Sequence, residues 1–143
     1  MSTQAPRPCP PPAGAWRGAE LTRIGQPRPR RGEIWFIEDK DCTSSVGTEL
    51  WKNRPGVVVS NDRINQRSGF VQVVLMTSSK AKRTTGFHVD LTGTLEENRR
   101  SIAMCEQIHV VDLSRMSRRL GTVDADRMAE IDKALMANLD LIA

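Results

Sequence analysis

Five strand-forming segments follow one another along this chain with no helical stripe between them, and a single helical stripe closes it. The segments are Glu33–Glu38 (EIWFIE), Pro55–Ser60 (PGVVVS), Phe70–Met76 (FVQVVLM), Phe87–Leu91 (FHVDL) and Ser101–Val111 (SIAMCEQIHVV). Each is rich in β-branched, aromatic or long apolar residues, which fit a pleated and buried surface. Pro55 opens its strand, where a missing N–H is tolerated. In the fourth segment Phe87, Val89 and Leu91 share a face, which turns His88 away from them. Met128, Ile131, Leu135, Leu139 and Ile142 then recur at intervals of 3, 4, 4 and 3, the period of a helix, with Asp124 or Asp126 available as its N-cap. Strands in a row followed by one helix exclude alternating βαβ units. They predict a mostly β chain with a C-terminal helix, built on a strongly bent antiparallel sheet or small barrel.

Proline and charge divide the chain. Seven of eight prolines lie before residue 32, together with six arginines and one acid. Residues 1–31 therefore carry +5 of a total +4, which leaves −1 for the rest. Residues 1–30 hold few large apolar groups and cannot offset the entropy of ordering, so they read as a disordered arm before a domain at 31–143. The near-neutral body disfavours a wide duplex-DNA grip.

No stretch reaches 18 apolar residues, so no membrane span is expected, and the N-terminus lacks the apolar segment of a secretory signal. Cys9, Cys42 and Cys105 are odd in number, widely spaced and without a Cys-x-x-Cys pair. Neither a disulfide framework nor a metal site is expected, and the chain reads as cytoplasmic and reduced, with no cofactor.

Several pieces resemble the MazF/PemK toxin family, the mRNA interferases. They are Arg31-Gly32-Glu33-Ile34-Trp35, then Val46-Gly47-Thr48-Glu49 leading to Arg54-Pro55-Gly56-Val57-Val58-Val59-Ser60-Asn61-Asp62. Val73-Val74-Leu75-Met76-Thr77-Ser78-Ser79 follows, and then Ser101-Ile102-Ala103-Met104-Cys105-Glu106-Gln107-Ile108, with Leu120-Gly121 and the terminal helix behind. Each piece alone is weak; all of them in order over residues 31–143 are specific. The resemblance implies an SH3-like barrel and a homodimer. It also implies metal-free, sequence-specific cleavage of single-stranded RNA, and neutralisation by a cognate antitoxin.

Metal-free RNA cleavage uses the substrate's own 2′-hydroxyl, which attacks the neighbouring phosphorus and expels the 5′-oxygen. The protein removes one proton, supplies another and stabilises a phosphorane-like charge. Arg54 suits the last task, with a permanently charged planar fork for phosphate oxygens. Thr77 closes the third strand. The resemblance makes it the second catalytic residue, whereas the residues alone favour a Thr bonded to nearby backbone at the end of a strand. Glu49, five residues before Arg54, is by the resemblance an acid beside the site. It is either a base or an orienter of Arg54, or else a loop carboxylate in water.

Thr48, Trp51 and Lys52 lie in the long loop of residues 39–53, expected to fold over substrate. Trp51 is the stacking candidate or a buried dimer anchor. Ser78 and Ser79 add hydroxyl donors, and Lys80, Lys82 and Arg83 offer phosphate contacts. Asn61 and Gln107 complete the candidate RNA-binding set, Gln107 with a cross-strand hydrogen bond as its other reading. His88 and His109 are the only histidines, and neither falls in a piece that carries the resemblance to a catalytic position.

Two other functions stay open. A gyrase-poisoning toxin of the CcdB type depends on a terminal Trp-Gly-Ile, whereas this chain ends Leu139-Asp140-Leu141-Ile142-Ala143 and has no Trp after Trp51. A non-catalytic barrel that binds RNA or protein is the third.

Overall fold

The computed structural model describes residues 28–38, 53–78, 86–95 and 100–141. Strands β1 (Glu33–Ile37) and β2 (Arg54–Val58) precede a short helix α1 (Asp62–Arg67). Then come β3 (Phe70–Thr77), β4 (His88–Asp90), β5 (Ile102–Asp112), a 3₁₀ turn at Leu113–Arg115, β6 (Met116–Thr122) and helix α2 (Ala125–Asn138). The strands form one sheet in the order β4-β5-β3-β2-β1-β6, and every neighbouring pair is antiparallel.

Both faces of the sheet are buried, which is why β3 reads as an almost unbroken apolar run rather than an alternating one. Ile34, Val57, Val74, Met76, Val89 and Ala103 face Ile131 and Ala134 of α2, with Met128 and Leu135 at the margin. The residues between them in sequence (Trp35, Val58, Val73, Leu75 and Met104) form a second cluster with Ile37, Val71, Val111, Leu113 and Met116. That cluster is enclosed by the sheet itself, which curls where the register slips at Ile34/Trp35, Phe36/Ile37 and Val74/Leu75. Strands Val57–Val59 and Val71–Leu75 are thus covered within one chain. Their apolar character does not by itself require a partner subunit.

The Arg-Gly-Glu-Ile-Trp piece is scaffold. Arg31 donates from Nε to the Val59 carbonyl at 3.0 Å and pairs with Asp132 on α2. Gly32 has φ +90°, which a side chain rarely adopts, while its N–H reaches the Val58 carbonyl and its own carbonyl accepts from Val123. Glu33 is buried; its carboxylate accepts from the Arg30 N–H at 2.5 Å and from Arg119 Nη1 at 3.0 Å. Trp35 is core, as expected.

Several elements depart from the sequence expectations. Pro29 is buried, and Arg28 Nη1 donates to the carbonyls of Asn65 (3.2 Å) and Ser68 (2.8 Å). It thereby satisfies carbonyls at the end of α1 that have no partner in the helix. Helix α1, unexpected from its polar sequence, is held by these bonds, by Asn61 at its N-cap and by the buried Asn65 on Ser60. Strand β6 was also not anticipated; only Met116 in it is buried. In α2 the cap is Asp124, which accepts from Arg127 N at 2.9 Å. The helix ends at Asn138, which leaves Leu139 exposed. Phe87 lies just outside β4 and is exposed, while Val89 and Leu91 are core.

Candidate active site

Where α2 does not cover the sheet, the strand ends line a cleft of about 660 Å³. Antiparallel register builds its centre. Gly56 pairs with Leu75, so continuing the ladder by two residues sets Arg54 at the start of β2 opposite Thr77 at the end of β3. Two residues 23 positions apart in sequence become cross-strand neighbours, and both line the cleft. Two residues further along β2, Gly56 leaves room for the neighbouring strands: a Cβ there would lie 2.7 Å from Ile37 Cδ1 and 3.2 Å from the Val74 carbonyl oxygen.

Arg54 is half-buried. Its Nη1 reaches the Met76 carbonyl at only 3.5 Å, and its Nε–H is buried with no hydrogen-bond partner. Desolvation pulls its pKa below the ordinary arginine value. A guanidinium removed from water without an acceptor is costly, and a bound anion relieves that cost. Thr77 is buried at the cleft floor, with the exposed Ser78 beside it.

Arg100, just before β5, and Arg118, on β6, complete the lining cations. The Arg100 Nε–H is also buried without a partner. Arg118 stands opposite Phe36 in the β1–β6 ladder, and its Cζ lies 5.5 Å from that ring's centroid. No carboxylate lines the cleft among the described residues, so three guanidinium groups face one hollow. Sequence reasoning missed Arg100 and Arg118. Arg100 has an adjacent arginine and Arg118 another, but neither lies beside Arg54 in the chain. Only the strand order brings them together.

Glu49, Thr48, Trp51, Lys52, Ser79, Lys80, Lys82 and Arg83 lie outside the described residues. Asn61 caps α1 beyond the far end of β2, outside the cleft. Gln107 sits on β5, 3.4 Å from His109 Nε2 and away from the cleft. His88 faces away from Val89, as expected, and its Nε2 lies 2.6 Å from Glu106 Oε1; neither histidine lines the cleft. Among the described residues no three His, Cys, Asp or Glu side chains come together in a metal-binding group.

Residues 30–139 match the model of the PemK-like, MazF-like toxins of type II toxin–antitoxin systems. The chain belongs to this family. It is 37% identical to endoribonuclease MazF9 of Mycobacterium tuberculosis over 127 residues, which cover 78% of this chain and 97% of that protein. It is 30% identical to endoribonuclease EndoA of Bacillus subtilis, over 79% of this chain and 96% of that one. Its fold matches a mycobacterial endoribonuclease solved in complex with its cognate antitoxin, with TM-score 0.63 at 23% identity, over 80% of this chain and 98% of that chain. Among the three functions open from sequence, membership in this toxin family decides for the first. The fold is the small barrel-like sheet with a C-terminal helix that the resemblance implied.

Proposed function

We propose that this MazF-like endoribonuclease cuts single-stranded RNA in the Arg54–Thr77 cleft by attack of the substrate's 2′-hydroxyl, without metal. The observation that carries this reading is Arg54: a desolvated guanidinium with an unpartnered Nε–H, opposite a hydroxyl, in a cleft lined by arginines. Arg54 accepts the charge that grows on the non-bridging oxygens, and its poor ground-state solvation makes that contact strongest at the transition state. The Thr77 hydroxyl donates to the same phosphate. Glu49 is the candidate base for the 2′-hydroxyl proton, and Thr48, Trp51, Lys52, Ser78, Ser79, Lys80, Lys82, Arg83, Asn61 and Gln107 are the candidate RNA contacts. The proton taken from the 2′-hydroxyl passes on to solvent and the departing 5′-oxygen takes one from solvent, so the products carry 2′,3′-cyclic phosphate and 5′-hydroxyl ends.

The partner implied by a type II toxin is an antitoxin protein whose acidic extended segment competes with RNA for Arg54. The working unit is a homodimer, supported by the exposed Met136, Leu139 and Leu141 at the end of α2 and Val110 on β5. Among the described residues no helix is long and apolar enough to cross a membrane. The cytoplasm is the compartment in which a toxin of this kind meets messenger RNA.

An oligonucleotide with a single 2′-deoxy substitution at the cut position tests the mechanism. It binds and is not cleaved if the 2′-oxygen is the nucleophile; cleavage at that bond with undiminished rate overturns the reading. The all-ribose control is cleaved equally well in excess EDTA.

A further inference from the structure

Strand order spreads the three cleft arginines across the sheet, in the sequence β5, β3, β2, β1, β6. In that order the cleft is lined by Arg100, Thr77, Arg54, Phe36 and Arg118. They are staggered along the strands: Arg54 is level with Ile37, one residue past the Phe36–Arg118 pair, and Thr77 pairs with Ile102, two residues after Arg100. With strands about 4.8 Å apart, Arg118 on β6 and Arg100 just before β5 stand about two strand spacings to opposite sides of Arg54. The line through them crosses the strands obliquely.

Each flanking arginine is prepared for an anion. The Arg100 Nε–H is buried without an acceptor. Asp90, a carboxylate that feels the Arg100 charge, does not line the cleft. The Asp90 carboxyl is held below its ordinary pKa first by hydrogen bonds from Thr92, and less by the charges of Arg127 and Arg100. Arg118 is exposed, with its Cζ 5.5 Å from the centroid of the Phe36 ring, within cation–π range, which holds its charge at the cleft wall. Ser78 and Ser101, which the β3–β5 register brings opposite each other when extended one pair beyond Thr77 and Ile102, add hydroxyls between Arg100 and Thr77.

We propose that Arg100 and Arg118 are substrate-binding residues that hold the RNA phosphates on opposite sides of the scissile one, so that the RNA backbone crosses the strand ends. This rests on the reading of Arg54 and Thr77 as the reacting centre. It extends that reading from one phosphate to a track of three, with a fixed direction across the sheet. The flanking contacts are made equally in the ground state and the transition state, so they set KM and not kcat.

The test uses the full chain, an RNA oligonucleotide containing the cut site, and two more copies in which the backbone on one or the other side of the cut carries neutral methylphosphonates. Wild-type protein loses affinity for both modified oligonucleotides. Arg100→Gln raises KM about 5- to 10-fold on unmodified RNA, keeps kcat within about two-fold, and no longer discriminates against one of the modified copies. Arg118→Gln does the same and is blind to the other copy. Each variant lowers the salt slope of binding by up to ~0.7. Arg63→Gln, an equal charge change on the exposed side of α1, leaves every one of these quantities at the wild-type value. If wild type cleaves and both variants still discriminate against both copies, the track is overturned while the reacting centre stands. If wild type cleaves no RNA, the reading of the centre fails first. Circular dichroism and thermal unfolding of both variants establish that they are folded.

Discussion

Replacing Arg54 with Met is expected to make the free protein more stable and the enzyme almost inactive. Met keeps most of the apolar stem and removes the charge. The buried Nε–H has no partner, and the Nη1 contact to the Met76 carbonyl is long at 3.5 Å. An unsatisfied buried donor costs about 1–3 kcal/mol. Because the guanidinium is only half-buried, water screens part of this, and a gain of about 1 kcal/mol is the appropriate figure. For a chain of this size that is a rise of about 3–5 °C in the unfolding midpoint. Cleavage falls in the opposite direction, by on the order of 10²–10³ in single-turnover rate, the usual loss of one transition-state donor. The assays are thermal unfolding in phosphate-free buffer and single-turnover cleavage of a labelled oligonucleotide. Added inorganic phosphate provides an internal check: it raises the wild-type midpoint by occupying the cleft and raises that of Arg54→Met less. A variant that unfolds at a lower temperature than wild type, with no response to phosphate in either protein, refutes the idea that Arg54 is held unpaired for an anion.

Gly56→Ala is expected to destabilise by about 1–3 kcal/mol, because the new Cβ meets Ile37 Cδ1 at 2.7 Å. Ile37→Val deletes that atom, so it costs less in the Gly56→Ala background than in wild type; equal costs in a double-mutant cycle exclude the clash. Burial, and then the charge of Glu106, push the Cys105 thiol up from 9.0 to about 12. Between those values the unfolded chain ionises and the folded one does not, so stability falls as pH rises, by about 1.4 kcal/mol per unit. Cys105→Ala loses this slope, and a denaturant series at several pH values measures it. Removing residues 1–27 is expected to leave the cut sequence and the unfolding midpoint unchanged. Removing 1–30 also deletes the Arg28 bonds to α1 and costs about 1–2 kcal/mol, measured by chemical denaturation.

The five strands were legible because their β-branched runs are long and both faces of the sheet are buried. The elements that were not legible have small cores of their own. Asp62–Arg67 buries only Asn65, and its stability comes from Arg28 and the Ser60 backbone, neither of which marks a helix in sequence. Met116–Thr122 is an edge strand with exposed arginines, and local composition does not distinguish it from a loop. Arg54 and Thr77 were found through resemblance; the register explains why they belong together. Arg100 and Arg118 needed the strand order, because β6 returns to pair with β1 and that pairing leaves no local signal.

That same return strand sets when the cleft is complete. The β1–β6 ladder joins Glu33 with Thr122, residues far apart in the folded body's sequence, and Phe36 receives Arg118 by the same pairing. Contacts this distant in sequence form late, and a ribosome delivers the chain N-terminus first. Arg54 and Thr77 emerge well before β6, yet the cleft wall carrying Arg118 does not exist until β6 is free to pair. The core under α2 is incomplete until that helix follows. A nascent or prematurely terminated copy therefore holds Arg54 and Thr77 without the cleft wall that carries Arg118.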